Sequence, residues 1–380
     1  MPVNSELGRR LQLIQGLHWL YAADGDPYAT LLRGFDDDLQ PIHQSLRERG
    51  RLWPSRTGTW VTGRYSDSVE LIGHSALGTR YTEGQSAVQQ VMDWDQEFGD
   101  IDPGESHRLG EAADALLAPA SIGERYEQVL RSVGDEFDLL ADVAERISVD
   151  LVADLFEVSA SGRARLAENR GNLAIAADSS LCPQRLDAGH LMLSALTELR
   201  ELLGGRPLGL LYGVLGVRIS ADLLAKAVLA LLEDPEHWTA IADDPARAAK
   251  AVDETLRYDP PVQVQVAVAQ RDFEAAGQHV PAGSQIAVVI AAANRDPEVF
   301  AAPDRFDPDR NAGPRGSALT PGGPAGLILP FARAHAEAAL QALSARFPGL
   351  RVNGDVLRRR RAPLTKGLLR LPVASSRDAA

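Results

Sequence analysis

Between Asp253 and Phe347 a series of short motifs follows in an order that leaves a chain few ways to fold. It opens with D-E-T-L-R-Y (Asp253 to Tyr258) and D-P-P (Asp259 to Pro261). A-A-N-R-D-P-E-V-F (Ala292 to Phe300) and P-D-R-F-D-P-D-R (Pro303 to Arg310) follow, and P-F-A-R-A-H-A-E-A-A-L (Pro330 to Leu340) closes the series. Glu254 and Arg257 lie three residues apart on one predicted helix face, so both can reach a common partner. V-Q-V-Q-V-A-V-A-Q (Val262 to Gln270) alternates with the period of a half-buried strand. P-A-G (Pro281 to Gly283) signals a turn, Ile286 to Ala291 reads as a second, more buried strand, and a last helix is expected over about Phe331 to Phe347. Between Arg310 and Pro330 runs N-A-G-P-R-G-S-A-L-T-P-G-G-P-A-G-L-I-L, a predicted loop in which Pro314, Pro321 and Pro324 each remove a backbone donor. Its glycines make no phosphate loop, because no G-K-[ST] follows them.

The remainder of the chain reads as helical. Leu7, Leu11, Ile14, Leu17 and Leu20 recur at helical spacing, and a second helix is expected over Gln40 to Arg49. A hairpin follows around a Ser55 to Gly58 turn, and Ser66 is a candidate cap for the next helix. From His107 to about Leu202 the pattern is helical, with Tyr126, Val129, Val133, Phe137 and Leu140 as one core stripe and Val143, Ile147, Leu151 and Leu155 as another. R-P-L-G-L-L-Y-G-V-L-G (Arg206 to Gly216) is too glycine-rich to read as helix at its start, whereas Leu223 to Leu232 forms a strong apolar helical face. R-R-R-R (Arg358 to Arg361) reads as a solvated edge or an internal charge-pairing patch.

Composition narrows the function. A chain of 380 residues can bury a large core, and a formal net charge of -13 argues against a nucleic-acid surface or an anionic membrane. A single cysteine, Cys182, leaves no internal disulfide framework and no multi-cysteine metal site, and it suits a reducing cytoplasm. The sequence has no signal-like apolar run and no 18-residue apolar stretch. No Ser/His/Asp set or metal-ligand spacing stands out. We expect one mainly α domain with small β-sheets over residues 1–380, with a helical extension over about 1–50 and a disordered tail at 374–380.

The motif series resembles the C-terminal half of bacterial cytochromes P450, and Leu223 to Leu232 resembles their long central helix. That family carries an invariant cysteine in the loop before Pro330, whose thiolate ligates the haem iron. Here the ligand position falls on Gly326, the basic position beside a haem propionate on Pro324, and the glycine-flanked aromatic on Leu319. The acid/alcohol pair that relays protons to dioxygen falls on Arg218 and Ile219; arginine gives up no proton near neutral pH and isoleucine has none to give. Glu254, Arg257 and Arg305 match the family's structural ion-pair triad, which the resemblance implies is still paired. As replacement ligands, His335 reads instead as an ordinary surface or core residue and Cys182 as a small semi-buried one.

A subgroup of the family fits these losses: haem-free, P450-like auxiliary proteins of antibiotic deoxysugar glycosyltransferases, among them the activator of the desosaminyltransferase of erythromycin biosynthesis. G-R-R-L-Q-L-I-Q-G-L-H-W-L-Y, G-D-P-Y (Gly25 to Tyr28) and L-L-R-G-F-D-D-D (Leu31 to Asp38) are similar to that subgroup's opening. The resemblance implies a cytoplasmic pseudoenzyme without cofactor. It would bind, stabilise and activate a partner transferring a nucleotide-activated deoxysugar to a polyketide-type aglycone, in a hetero-oligomer of two plus two. Leu17, Trp19, Leu20 and Tyr21 are the candidate partner contact, since tryptophan and tyrosine anchor interfaces. The alternatives are a haem-dependent monooxygenase with an unorthodox ligand, and a small-molecule binder using the vacated haem cavity. An empty apolar void costs about 24 cal/mol per Å3, so side chains or a shifted central helix are expected to fill much of it.

Overall fold

The computed structural model describes residues 2–36, 38–80, 91–92, 94, 98, 101, 103–310 and 317–375. Asp37, Pro314 and residues 376–380 of the expected tail lie outside the described residues. Three helices form the N-terminal extension: α1 (Pro2–Ala23), α2 (Pro27–Arg33) and α3 (Gln40–Arg49). Asp26 caps α2 by accepting from the Tyr28 and Ala29 amides at 2.9 and 3.0 Å. The hairpin strands β1 (Trp53–Pro54) and β2 (Trp60–Thr62) come next, then α4 (Tyr65–Leu71) and β3 (Leu77–Gly78). Ser66 does not cap α4. The helix starts one residue earlier, and the Tyr65 amide finds its acceptor in Asp296 Oδ2, 3.0 Å away.

The helical middle comprises α5 (Pro103–Leu116), α6 (Pro119–Ser132), α7 (Glu145–Leu155), α8 (Ala160–Leu173), α9 (Ala176–Ser179) and α10 (Leu186–Leu202). A strand interrupts it, β4 (Glu136–Asp138), so Phe137 is not part of a helical stripe as expected. The Asp138 carboxylate then accepts from the Leu140 and Ala141 amides and starts a π-helical turn, Leu139–Ala144.

The central helix runs through α11 (Pro207–Leu211), a π-helical turn (Tyr212–Gly216) and α12 (Val217–Leu231). The glycine-rich segment is therefore helical from Pro207, contrary to the expectation for its start. Its glycines serve packing: a Cβ on Gly213 would sit 2.6 Å from Leu199 Cδ1, and one on Gly209 2.7 Å from Leu203 Cβ. After α13 (Pro235–Asp243) and α14 (Arg247–Tyr258) the chain forms β5 (Gln265–Ala269), β6 (Phe273–Ala275), β7 (Gln278–Val280) and β8 (Gln285–Val288). The first strand is shorter than its alternation because the Gln263 amide bonds to the Leu364 carbonyl, 2.6 Å away, rather than to a strand. The second ends at Val288, and its buried run continues into α15 (Ile290–Ala293); an apolar run cannot separate a core strand from a core helix.

The last helix, α16 (Gly323–Arg346), starts eight residues before the expected Phe331 and contains Pro330. Pro324 sits in its first turn, where a missing N–H costs nothing. Strands β9 (Leu350–Val352), β10 (Leu357–Arg358), β11 (Leu368–Arg370) and β12 (Pro372–Ser375) complete the chain. The tail was expected to be disordered from 374, yet Ala374 and Ser375 pair with Arg351 and Leu350. The larger sheet has the order β1-β2-β8-β5-β3, with β2 and β8 parallel, and the smaller has β4-β12-β9. Buried Ala and Leu residues of α12 and α16 lie at the centre of the core.

Candidate functional site: two sealed stations around a cavity

Gly326 lies in the first turn of α16, its amide 3.2 Å from the Gly322 carbonyl. A Cβ built there would stand 2.7 Å from the Pro321 carbonyl oxygen. Backbone fills the space a ligand side chain would need. Substituting Gly326 by alanine or cysteine is therefore expected to cost about 1–3 kcal/mol in a urea titration, as overpacking does. The cysteine variant, expressed with ample haem, is expected to show no Soret band. Leu319 is buried and clamped by Asn294, which accepts from its amide at 2.7 Å and donates to its carbonyl at 2.9 Å. Asn294 was missed in the sequence; its partners are 25 and 38 residues away.

Arg218, expected at the proton-relay position, is 2% exposed. Its Nε donates to Asp222 Oδ2 at 2.6 Å, Nη1 to Glu145 Oε1 at 3.2 Å and Nη2 to the Leu368 carbonyl at 2.8 Å. A second Arg218–Asp222 contact makes the pair bidentate. Burial pulls the guanidinium pKa down, but the charge and hydrogen bonds of Asp222, with Glu145, hold it above its ordinary value. Glu145 is shared with Arg170 at 3.2 Å. The absence of a side chain on Gly367 makes room: a Cβ there would lie 2.6 Å from both Arg218 Nη2 and Asp222 Oδ2. The station is an internal strut.

Two further charge clusters continue this strut toward the C-terminal strands. Lys226 pairs with Asp259 at 2.9 Å and donates to the Pro260 and Thr365 carbonyls, both at 2.9 Å. Burial raises the Asp259 carboxyl, but Lys226 and Arg358 outweigh it and bring it down to about 2. The Asp178 carboxylate accepts from the Leu364 amide, the Thr365 amide and the Thr365 hydroxyl at 2.9, 2.9 and 2.7 Å. Burial nonetheless pushes its pKa up to about 6. The arginine run is an internal pairing patch in part: Arg358 meets Asp259 at 3.2 Å, and Arg361 donates to the Pro183 carbonyl at 2.8 Å.

The structure pairs two members of the expected triad and replaces the third. Arg257 meets Glu254 twice, at 2.9 and 2.7 Å, and donates to the carbonyls of Asn294, Pro303 and Arg305. Arg305 is exposed and contributes only that carbonyl. Arg310 takes its place, with Nε 3.3 Å from Glu254 Oε1 and Nη2 2.8 Å from the same Arg305 carbonyl. The turn from Pro303 to Arg310 points the first arginine outward and folds the second back.

Ile219 and Pro324 face a cavity of about 320 Å3 bounded also by Leu215, Val262 and Val264. The expected filling of this space is incomplete. The haem that the fold family implies does not fit the residues present. Gly326, the expected ligand position, admits no side chain, and among the described residues no Lys or Arg lines the cavity to meet two propionates. His335 is buried away from the cavity, its Nε2 2.8 Å from the Tyr126 hydroxyl. The Cys182 thiol is buried 3.7 Å from the Arg33 carbonyl, and burial pushes its pKa up.

On α1, Leu20 is 60% and Trp19 46% exposed, while Leu17 and Tyr21 are half-buried. Arg33 lies over the Trp19 ring at 4.5 Å. Leu13, 59% exposed, extends the same surface.

A P450-like framework, clamped by the buried Glu254–Arg257 pair, is what the fold and the site define. Residues 248–331 match the Cytochrome P450 family model. Protein DesVIII of Streptomyces venezuelae is 39% identical over 98% of this chain and 94% of its own length. Cytochrome P450 family protein EryCII of Saccharopolyspora erythraea is 34% identical over 97% of both chains. The crystal structure of ligand-free CYP164A2 of Mycobacterium smegmatis superposes with a TM-score of 0.75 at 28% identity, covering 92% of this chain and 99% of that one. The chain belongs to the cytochrome P450 family, and its resemblance to the auxiliary branch spans nearly its whole length. Among the described residues no helix is long and apolar enough to cross a membrane.

Proposed function

We propose that this protein is a non-catalytic auxiliary that binds, stabilises and activates a deoxysugar glycosyltransferase acting on a polyketide-type aglycone in antibiotic biosynthesis. The observation that carries the reading is a framework still clamped at Glu254 and Arg257 while backbone closes on Gly326 and an ion-pair cluster holds Arg218. The full-length match to DesVIII and EryCII supports it. Activation needs no chemistry from this chain: a partner that binds only the competent transferase raises that state's population by mass action. Co-expression with the transferase, followed by size exclusion, an absorbance spectrum and a transfer assay, tests the reading. Co-elution without a Soret band, and a transferase that loses activity when alone, are expected. A haem spectrum, or a transferase fully active and stable alone, would overturn it.

The transferase contact is assigned to the outer face of α1. Residues 12–23 include no Asp, Glu, Lys or Arg, in a chain that is 24% charged. Leu13, Trp19 and Leu20 are exposed there, and Gly16 lies among them. A Cβ on Gly16 would meet nothing within 4 Å. A mid-helix glycine costs about 0.5–1 kcal/mol relative to alanine, and no contact among the described residues requires it. Close approach by a partner does. Gly16→Ala is therefore expected to stabilise the free protein by about 0.5–1 kcal/mol. Gly16→Arg and Leu20→Asp are expected to weaken transferase binding about tenfold or more, by roughly 1.4 kcal/mol, with little change in melting temperature. Unchanged affinity in both would remove α1 from the interface.

A further inference from the structure

We propose that Arg360, with Arg33 and Arg361, forms a clamp for an acidic segment of the partner transferase, beside the apolar face of α1. The clamp rests on the transferase reading and names the chemistry of its contact. Three guanidiniums stand around two aromatic rings. Arg33 lies over the Trp19 ring at 4.5 Å, and the Trp19 and Phe35 ring centroids are 5.9 Å apart. Arg360 and Arg361 lie 6.0 and 5.5 Å from the centre of the Phe35 ring. A guanidinium held over an aromatic face keeps its edge N–H groups for a carboxylate. Arg33 meets Asp36 at 3.1 Å, and Arg361 donates to the Pro183 carbonyl at 2.8 Å. Arg360 is exposed, and its side chain makes no hydrogen bond or ion pair among the described residues.

The backbone is shaped to make this cluster. Gly34 ends α2 in the left-handed conformation, with φ 64°, and a Cβ on it would lie 2.7 Å from Arg361 Cα. Arg361 itself takes φ 57°, a conformation that disfavours side chains other than Asn and Asp. Its amide donates to the Gly34 carbonyl at 2.7 Å, and its carbonyl accepts from the Gln184 side chain at 2.9 Å. Strain of this kind persists where surrounding contacts impose it, and it concentrates at binding sites. Here it brings the loop between β10 and β11 against the end of α2 and sets two arginines on Phe35.

Charge selects the occupant. The chain carries a formal net charge of -13, so an acidic segment is repelled by the molecule as a whole and held where arginines gather. Such local complementarity orients a partner and suppresses wrong dockings, which suits a cluster at the edge of an apolar contact. Trp19 joins the two, 46% exposed on α1 and covered by Arg33.

Calorimetry of the purified full chain with the transferase, at about 50 and about 300 mM salt, tests the clamp. Arg360→Glu is expected to weaken binding about tenfold or more at the lower salt, and Arg360→Gln about threefold, with a smaller salt dependence than the parent. Arg131→Glu reverses an exposed arginine on α6, outside the cluster, and is expected to change affinity by less than about twofold. Far-UV circular dichroism is expected to show all three folded. If Arg360→Glu is not, Arg360→Gln and its salt dependence decide. Unchanged affinity in the folded Arg360 variants, or an equal loss in Arg131→Glu, overturns the clamp and leaves the transferase reading standing. No complex with the parent chain overturns both. A dimer of this chain alone that Arg360→Glu dissociates, with transferase affinity unchanged, gives the cluster to a second copy and also overturns the clamp.

Discussion

Replacing Arg218 by methionine is expected to lower stability by about 3–5 kcal/mol, read as a fall in the urea midpoint with an unchanged slope. The reason lies in what the substitution leaves behind. Asp222 is 0% exposed, and without Arg218 its hydrogen bond among the described residues would be the one from the Leu368 amide at 3.2 Å, with Lys226 and Arg359 as the nearby cations left to it. Glu145 would keep Arg170, so the loss concentrates on Asp222. Removing both charges is a different experiment. In Arg218→Met with Asp222→Leu no buried charge is stranded, and stability is expected to return to within about 1.5 kcal/mol of the parent, since a buried pair is often replaceable by apolar groups of similar size. A single variant costing under about 1 kcal/mol, or a double no better than the single, would refute the strut. Transferase activation by either variant should follow the folded fraction alone. A drop beyond that would give Arg218 a function that its burial does not suggest.

The same residue shows where the sequence stops. Arg218 and Asp222 are four apart on one helix, the spacing of a side-chain pair, so half of the strut was visible. Glu145 is 73 residues away and the Leu368 carbonyl 150, and no local pattern links them. Element type and order were legible because apolar periodicity is strong from Asp253 onward. Failures came where one residue type serves two purposes. Glycine and proline between 206 and 216 and around 323 read as chain breakers. In the fold they are contact points: Gly213 lets Leu199 close in, and Pro324 sits in the one helical turn that tolerates it. The closure of the ligand position was legible only as an absent cysteine. That the Pro321 carbonyl blocks any side chain there depends on where α16 begins. Asp178 gave no signal, because its latch to Leu364 and Thr365 exists only once distant segments have packed.

A second variant set distinguishes the two arginines that compete for Glu254. Arg257→Met is expected to cost about 3–5 kcal/mol, because Glu254, 5% exposed, loses its bidentate partner while three carbonyls lose a shared donor. Arg310→Ala removes one contact to Glu254 at 3.3 Å and hydrogen bonds to the Ala302 and Arg305 carbonyls at 3.2 and 2.8 Å. These are charge-assisted but partly exposed, and about 1–2 kcal/mol is expected. Arg305→Ala is expected to change stability by no more than about 0.5 kcal/mol, since the carbonyl that Arg257 and Arg310 use survives the substitution. Denaturant titrations of the three variants supply the ranking. Motif matching assigns the third position of the triad to Arg305, geometry assigns it to Arg310, and only one ranking is compatible with each. Arg305→Ala costing more than Arg310→Ala would restore the motif assignment. The expected order would instead show that the segment before the closed ligand position is held by a rebuilt clamp. Selection on such a clamp acts through stability, so Glu254 and Arg257 can persist whatever Gly326 does.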